Sequence, residues 1–324
     1  MNRIETLRAF DQIKLLADPR RMTILRLLMA QPATLTRLAR IMKQSPAWVR
    51  HHIKTLESAG LVGITEIRTT GTVTEKFYRA RSSAFLLQEL VLPKSKKPAL
   101  IFSGSHDLAL ESAAVHLDKY FQLLSLPVGS LDGLVNLRQG LCQISGAHLL
   151  DVSGEYNTPY IRHFFPDRDV EVITLAYRTQ GLMLQSGNPK SIRKIADLAR
   201  PDIRFANRNA GSGTRLWIDN ELRRLDIPSN KVNGYERVAG THSEAAALIE
   251  TDKADVSLGL QAAAYQHGLD FIPLFEERYD LILPRENEKA ITPLLDYLQT
   301  TSFRSELNML TGYNSAHTGE HIII

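Results

Sequence analysis

Six residues, Pro93-Lys94-Ser95-Lys96-Lys97-Pro98, constrain this chain more than any others. Two prolines bracket three lysines, a composition that favours an extended, solvated connection. The chain therefore reads as two bodies, residues 1–92 and 99–324, joined by a linker over 93–98, which suits its 324 residues at roughly 150 per domain. Charge divides at the same place. Residues 1–98 hold 18 Lys and Arg against 7 Asp and Glu, or +11; the remainder holds 21 against 28, or −7. A basic body joined to an acidic one suggests a polyanion-binding module attached to something else. The single cysteine, Cys142, excludes a disulfide framework and a cysteine-cluster metal site. No apolar run approaches the roughly 18 residues of a spanning helix. The opening stretch, MNRIETLRAFDQIKLL, has mixed charge and no apolar h-region, so a cytoplasmic protein with no membrane partner is expected.

In the basic body the pattern is mostly helical. Arg21–Ala30 is a strong apolar helix, and Leu35, Leu38, Ala39 and Met42 recur at helical spacing after a candidate cap, Thr34. Ser45 caps a further helix, with Pro46 at its first position and Gly60 beyond its end. On this Pro46–Ser58 helix Val49, Ile53 and Leu56 share an inward face. Ala47, Arg50, His51, Lys54 and Ser58 share the other, a stripe suited to a major groove. Trp48 lies at the edge between the faces, where packing suits it better than readout. Leu61–Ala80 then gives two alternating runs around Thr69-Thr70-Gly71-Thr72, a β-hairpin. Helix, turn, helix and hairpin in this order describe an α+β winged helix. Its candidate DNA contacts are Ser45, Ala47, Trp48, Arg50, His51 and Lys54 on the helix and Arg68, Thr70, Thr72 and Lys76 on the wing.

These residues resemble a known family. Leu16-Ala17-Asp18-Pro19-Arg20-Arg21 and Val49–Val62 (VRHHIKTLESAGLV) look like the opening and the recognition helix of ArsR-type winged-helix repressors, over about residues 5–80. Metal-sensing members carry paired cysteines or carboxylate and histidine sites here. This module has no cysteine, and the adjacent His51 and His52 point to different faces, so sensing is expected elsewhere. The resemblance implies a homodimer formed through terminal helices, a role that the amphipathic segments Ile4–Leu16 and Ser83–Leu92 fit, as they equally fit ordinary packing within the chain.

Beyond the linker, β-like runs (Ala99–Phe102, Val170–Tyr177, Ile203–Ala206, Phe271–Leu274) alternate with helical stretches, which argues for an α/β sheet. In two places a strand runs through small polar residues into a helix. One is Ser103-Gly104-Ser105-His106-Asp107; the other is Asn207–Arg215, NRNAGSGTR. Free backbone N–H groups and the helix dipole favour an anion at such a turn. In the second turn Gly211 and Gly213 allow close approach, Ser212 and Thr214 offer hydroxyls, and Arg208 and Arg215 offer charge. No GxxxxGK[ST] phosphate loop and no GxSxG nucleophile elbow is present.

This region resembles the type II, two-lobed periplasmic-binding-protein-like domain found attached to helix-turn-helix modules. The resemblance rests on FSGSHD (102–107), HLLD (148–151), GEYNTPY (154–160), NRNAGSGTR (207–215), GYERVAGTHSEAAALI (234–249) and ADVSLGLQAAAYQHGLDFIPLFEERYDL (254–281), and spans nearly all of 100–319. It implies lobe one at about 99–178 and 268–324, lobe two at about 179–267, and a ligand in the cleft between them. Lobe one would supply Ser103, Ser105, His106 and Ser130. Lobe two would supply Arg208, Ser212, Gly213, Thr214 and Arg215, with Thr241 and His242 nearby, and Arg178 at the crossover would close over the anion. The GSGT turn is similar to one in molybdate- and tungstate-binding proteins, so the resemblance implies one of these oxyanions as the sensed ligand, with no cofactor.

The reading is a cytoplasmic, ligand-responsive transcriptional regulator. Its partners are double-stranded DNA, a small anionic effector and a second copy of itself. The alternative is the same architecture sensing an organic acid or a molybdopterin-related compound. An enzyme on the two-lobed fold is the weaker alternative, because no triad or metal constellation stands out.

Overall fold

A computed structural model of the chain describes residues 4–324. They fall into two compact units that divide after Pro93. The N-terminal unit runs β1 (Ile4–Leu7), α1 (Phe10–Leu16), α2 (Pro19–Ala30), α3 (Leu35–Met42), α4 (Pro46–Ser58), β2 (Val62–Thr70), β3 (Val73–Ala80) and β4 (Ala84–Leu87). Side-chain caps fix the helix starts. Asp18 accepts from Arg20 N, Thr34 from Arg37 N and Ser45 from Trp48 N. Leu25, Leu28, Leu38, Val49, Ile53 and Leu56 pack into one core beneath them. The hairpin β2–β3 turns over Gly71 and Thr72, with Gly71 at φ 62°.

The terminal segments correct the expectation of dimerising helices. Only Phe10–Leu16 of the first segment is helical. Ile4–Leu7 and Ala84–Leu87 instead pair in parallel, Ile4 opposite Ala84 and Leu7 opposite Leu87. Short apolar runs suit helix or strand equally by periodicity. Here the ladder satisfies the backbone, Ser82 Oγ donates to Glu5 Oε2 at 2.6 Å, and Leu7 enters the core.

The C-terminal unit runs β5 (Ala99–Gly104), α5 (Leu108–Leu117), β6 (Gln122–Pro127), α6 (Ser130–Arg138), β7 (Ile144–Ala147), α7 (Thr158–Phe164) and β8 (Val170–Leu184). It continues through β9 (Phe205–Arg208), α8 (Gly213–Arg224), β10 (Val238–Ala239), α9 (His242–Glu250), β11 (Val256–Leu260), α10 (Gln261–Gln266) and β12 (Asp270–Pro284). It ends in α11 (Glu288–Leu298), α12 (Thr301–Met309), β13 (Tyr313–Asn314) and β14 (His321–Ile323). The strand order is β10-β9-β11-β8-β12-β7-β5-β6, with β13 and β14 also on β8.

Strands β8 and β12, 15 residues each, pair antiparallel from Leu184 opposite Asp270 to Val170 opposite Pro284. One end of this ribbon carries β11, β9 and β10; the other carries β7, β5 and β6. The ribbon is thus common to both lobes. Both strands outrun the stretches read from sequence, Val170–Tyr177 and Phe271–Leu274. Arg178, Gln180 and Glu277 interrupt the apolar pattern, and in the fold they are buried against one another rather than marking strand ends. The strand expected at Ile203–Ala206 lies at Phe205–Arg208, which takes Arg208 out of the turn and into the sheet.

Candidate functional site

The carboxyl ends of β5, β6, β7 and β9 converge, as in open α/β sheets whose ligands bind at that edge. Helices α5, α6, α8 and α9 start there. Asp107 caps α5 by accepting from Leu110 N at 2.9 Å. Ser212 caps α8 from Arg215 N at 3.2 Å, and Thr241 caps α9 from Glu244 N at 3.0 Å. The two lobes touch across this edge. Asn209 Nδ2 donates to Val128 O at 2.8 Å, and Leu131 N donates to Gly211 O at 3.1 Å. Gly213 lies so close to lobe one that a Cβ there would stand 2.4 Å from the His148 carbonyl oxygen.

That close approach makes a direct prediction. In Gly213→Ala the methyl group would meet backbone that cannot yield, so the lobes stop short of this arrangement. Affinity for a ligand bound between the lobes should fall about tenfold or more, which corresponds to about 1.4 kcal/mol. Calorimetry with any anion that binds the parent checks this; equal affinity in the variant would mean that the close approach is not required.

Between the lobes runs a buried polar string. The Glu277 carboxylate meets Arg178 Nη2 through Oε1 and His148 Nδ1 through Oε2 at 2.5 Å, the latter off the line of a straight hydrogen bond. His148 Nε2 lies 3.1 Å from Ser105 Oγ, and Ser105 Oγ lies 2.8 Å from Ser130 Oγ. The His148 backbone N–H donates to Ser130 Oγ at 3.2 Å. Arg178 also donates to Asp107 Oδ2 at 2.8 Å, an oxygen that accepts from Tyr313 OH at 2.8 Å, and its guanidinium sits 4.1 Å above the Tyr279 ring. Burial alone would raise the Glu277 carboxyl; the charge of Arg178 outweighs it and holds the carboxyl below its ordinary range. Burial lowers His148, with Glu277 opposing.

Arg208 differs from Arg178 in having no carboxylate partner. It is 2 % exposed. Its Nε and Nη2 donate to the carbonyls of Ala239 (3.2 Å) and Gly240 (2.9 Å), and its Nη1 has no protein acceptor. Burial, reinforced by the charge of Arg178, pushes its pKa down to about 10. His242 is fully buried with neither ring nitrogen hydrogen-bonded to protein. Burial and the charges of Arg208 and Arg178 push it well below the ordinary histidine range, so it is neutral. A buried cation with no carboxylate in contact, beside a neutral imidazole with free hydrogen-bonding capacity, is chemistry for holding an anion.

In the N-terminal unit, Ala47, Arg50, His51 and Lys54 are exposed along α4, as are Arg68, Thr70, Thr72 and Lys76 on the hairpin. A groove between α4 and the hairpin is lined by Thr34, Thr36, Arg50, Lys54, Thr74 and Lys76, together with Glu57 and Glu75. Ser45 serves as the helix cap. Trp48 is half-buried, packed on the core with its ring 4.2 Å from that of His52. Arg68 pairs with Glu66 at 2.6 Å and covers Phe77.

A family model described as PBP superfamily domain matches residues 112–299, more than half of the chain. The chain belongs to the PBP superfamily. Its N-terminal unit carries the helix-turn-helix of the bacterial regulatory protein arsR family, matched over residues 18–63. The uncharacterized protein YvgK of Bacillus subtilis (strain 168) is 34 % identical over 230 residues, 70 % of this chain and 74 % of that protein. An uncharacterized protein in the ferredoxin 2Fe-2S gene 5′ region of Clostridium pasteurianum is 32 % identical over 108 residues, 32 % of this chain and 96 % of that protein. Among solved structures, Peb3 from Campylobacter jejuni covers 67 % of this chain and 99 % of its own at 18 % identity, with a TM-score of 0.45.

Within the PBP domain the residues expected at the cleft separate into two groups. Ser105, Ser130, Arg208, Gly213, Thr214 and His242 are buried at or beside the converging turns. Thr214 Oγ1 accepts from Gln180 Nε2 at 3.0 Å. The others are committed elsewhere. Ser103 Oγ accepts from Asn136 at 2.9 Å. His106 Nε2 meets Glu111 at 2.7 Å, although its Nδ1 is buried without a partner. The Ser212 and Thr241 hydroxyls cap their helices. Arg215 pairs with Asp219 at 3.1 Å and lies 4.1 Å from the Tyr235 ring centroid. Arg178 is not free to close over a ligand, because Asp107 and Glu277 hold it. Sequence reasoning passed over His148, Gln180 and Glu277 as site residues. Among the described residues no group of three His, Cys, Asp or Glu is placed to hold a metal ion, and no helix is long and apolar enough to cross a membrane.

Proposed function

We propose that the chain is a cytoplasmic transcriptional regulator that binds operator DNA through α4 and its wing, as a homodimer, and responds to a small anion captured between the lobes of its PBP domain. The observation that carries the effector half is Arg208, a buried cation whose remaining N–H faces no protein acceptor. The effector would bridge it to the hydroxyls and helix starts of the opposite lobe. Binding can alter DNA affinity only as far as the anion prefers one lobe arrangement, typically about 1–3 kcal/mol of coupling. A tetrahedral oxyanion, molybdate or tungstate first, is the preferred effector, supported by the likeness of the Gly211–Thr214 turn to those in proteins that bind them. Serine, histidine and carboxylate in line is also the order of a nucleophile relay. Here the Ser105 oxygen is shared with Ser130, and the string sits in a binding fold.

The test of the effector half is the melting temperature of the full chain against molybdate, tungstate, sulfate, phosphate and several organic acids, because a ligand of the native state must raise it. A selective rise with molybdate or tungstate supports the oxyanion reading. A rise only with organic acids reassigns the effector class, and no rise with any of them removes the anion reading. For the DNA half, Arg50→Ala with Lys54→Ala should weaken operator binding about 10- to 100-fold, at about 1–3 kcal/mol for a base-reading side chain. It should also reduce the salt slope by about one for each phosphate no longer neutralised, and leave effector affinity unchanged. Fluorescence anisotropy across a salt series measures both, and an unchanged slope and affinity would displace α4 as the reading element.

A further inference from the structure

The string Glu277–His148–Ser105–Ser130 can be read as an inventory of hydrogens. Glu277 is ionised and faces His148 Nδ1 at 2.5 Å, so the ring hydrogen belongs on Nδ1. In the neutral ring Nε2 is then an acceptor. Ser105, 3.1 Å away, must donate to it, and Ser130, 2.8 Å further on, must donate to Ser105. The Ser130 oxygen already accepts from the His148 backbone N–H. In this state neither hydroxyl has a hydrogen left for an anion. Adding one proton at Nε2 reverses the string. His148 then donates to Ser105, Ser105 donates to Ser130, and the Ser130 hydrogen is released at the first residue of α6.

Charge points the same way. His148 is faced by Glu277 and Tyr279 from β12, Arg178 from β8 and Arg208 from β9. Asp107, bound to Arg178, and the imidazoles of His106 and His242 complete the surroundings. The two carboxylates and the two guanidiniums cancel. An anion that enters this buried, balanced interior gains from one added positive charge.

We infer that capture of the effector anion is coupled to uptake of one proton by His148, which redirects the Ser130 hydroxyl from Ser105 to the anion. His148 is thus a positioning residue for the cleft, and the inference rests on the anion reading above. The sign follows by linkage. The unliganded ring is neutral and the anion-bound ring is charged, so affinity falls as pH rises, by about tenfold per pH unit between the two ring pKa values.

The test is titration calorimetry of the full chain with molybdate and with sulfate, which bring no proton of their own across about pH 6 to pH 8. Two buffers of different ionisation enthalpy at each pH give the number of protons taken up. The expected result is about one proton per anion near the upper end, with weaker binding as pH rises. In His148→Gln, whose amide hydrogens do not titrate, uptake should fall to near zero and the pH dependence should flatten. Binding without proton uptake in the parent overturns the coupling and leaves the anion reading standing. So does the same uptake in the variant. Should the variant not fold, the two-buffer measurement on the parent still overturns the coupling if no proton is taken up, and His148→Asn takes the place of the first variant in assigning the proton. If neither anion binds at any pH, the oxyanion reading fails first and the coupling falls with it.

Discussion

Arg208→Met should leave the chain folded and unable to respond to the proposed anion. In the parent the guanidinium is buried without a carboxylate, and burial has pushed it down to about 10. Such a group is retained at a cost to the unliganded fold. Methionine has similar length and no charge, so it removes that cost while giving up the bonds to the Ala239 and Gly240 carbonyls. These opposing changes should leave the unliganded melting temperature within a few degrees of the parent, since about 1 kcal/mol moves a domain of this size by about 2–4 °C. Anion affinity should fall by about 100-fold or more, the scale expected when a buried charge-assisted bond is removed. Thermal shift and calorimetry read both quantities. A variant that still binds the anion at parental affinity would move the site away from Arg208.

The second large effect should come from Arg178→Met, and there the fold itself should suffer. Arg178 is the shared partner of Asp107 and Glu277. Its removal strands two buried carboxylates. Breaking a buried ion cluster from one side costs about 3–5 kcal/mol. For a unit of this size that is about 10 °C of melting temperature. The damage should spread, because Asp107 is also the cap of α5 and the acceptor of Tyr313 OH. Adding Glu277→Gln to Arg178→Met should recover part of the stability, since one stranded charge is then gone. A single variant that melts like the parent would mean that water already satisfies these carboxylates. The two arginines thus separate cleanly: one is expected to matter for the ligand, the other for the fold.

Much of the architecture was legible in the sequence because it is written in local rules. Thr34 and Ser45 sit where caps were expected, and the faces of α4 divide as its periodicity requires. The α/β sheet of the C-terminal unit was legible through its alternation of strand and helix, and its two lobes through the family resemblance alone. The site was harder to read, for two physical reasons. A hydroxyl at a helix start looks like a ligand-binding group, yet Ser212 and Thr241 are each used to cap the helix that follows. Arg215 looked available, but Asp219 one turn later captures it, a pairing that its i, i+4 spacing could have announced. His148 and Glu277 carry no such local sign. They meet only because β7 pairs with β12, and that register is invisible in a single sequence. Arg178 was assigned to the ligand for the same reason, because its partner Glu277 stands opposite it across the β8–β12 ladder.

The β8–β12 ribbon has a mechanical consequence. Many joints between rigid bodies behave as pins, in which a few loop residues swing and no angle is preferred. Here both connections are strand, laddered across the crossing, with register shifts between Pro273 and Phe275 and between Tyr279 and Asp280. Such a joint is a leaf spring. Its resting angle is set by the twist of the ribbon and by those two irregularities. An effector therefore works against, or with, a built-in bias. The two irregularities, at Pro273/Phe275 and Tyr279/Asp280, are thus where a substitution should change the resting angle of the lobes.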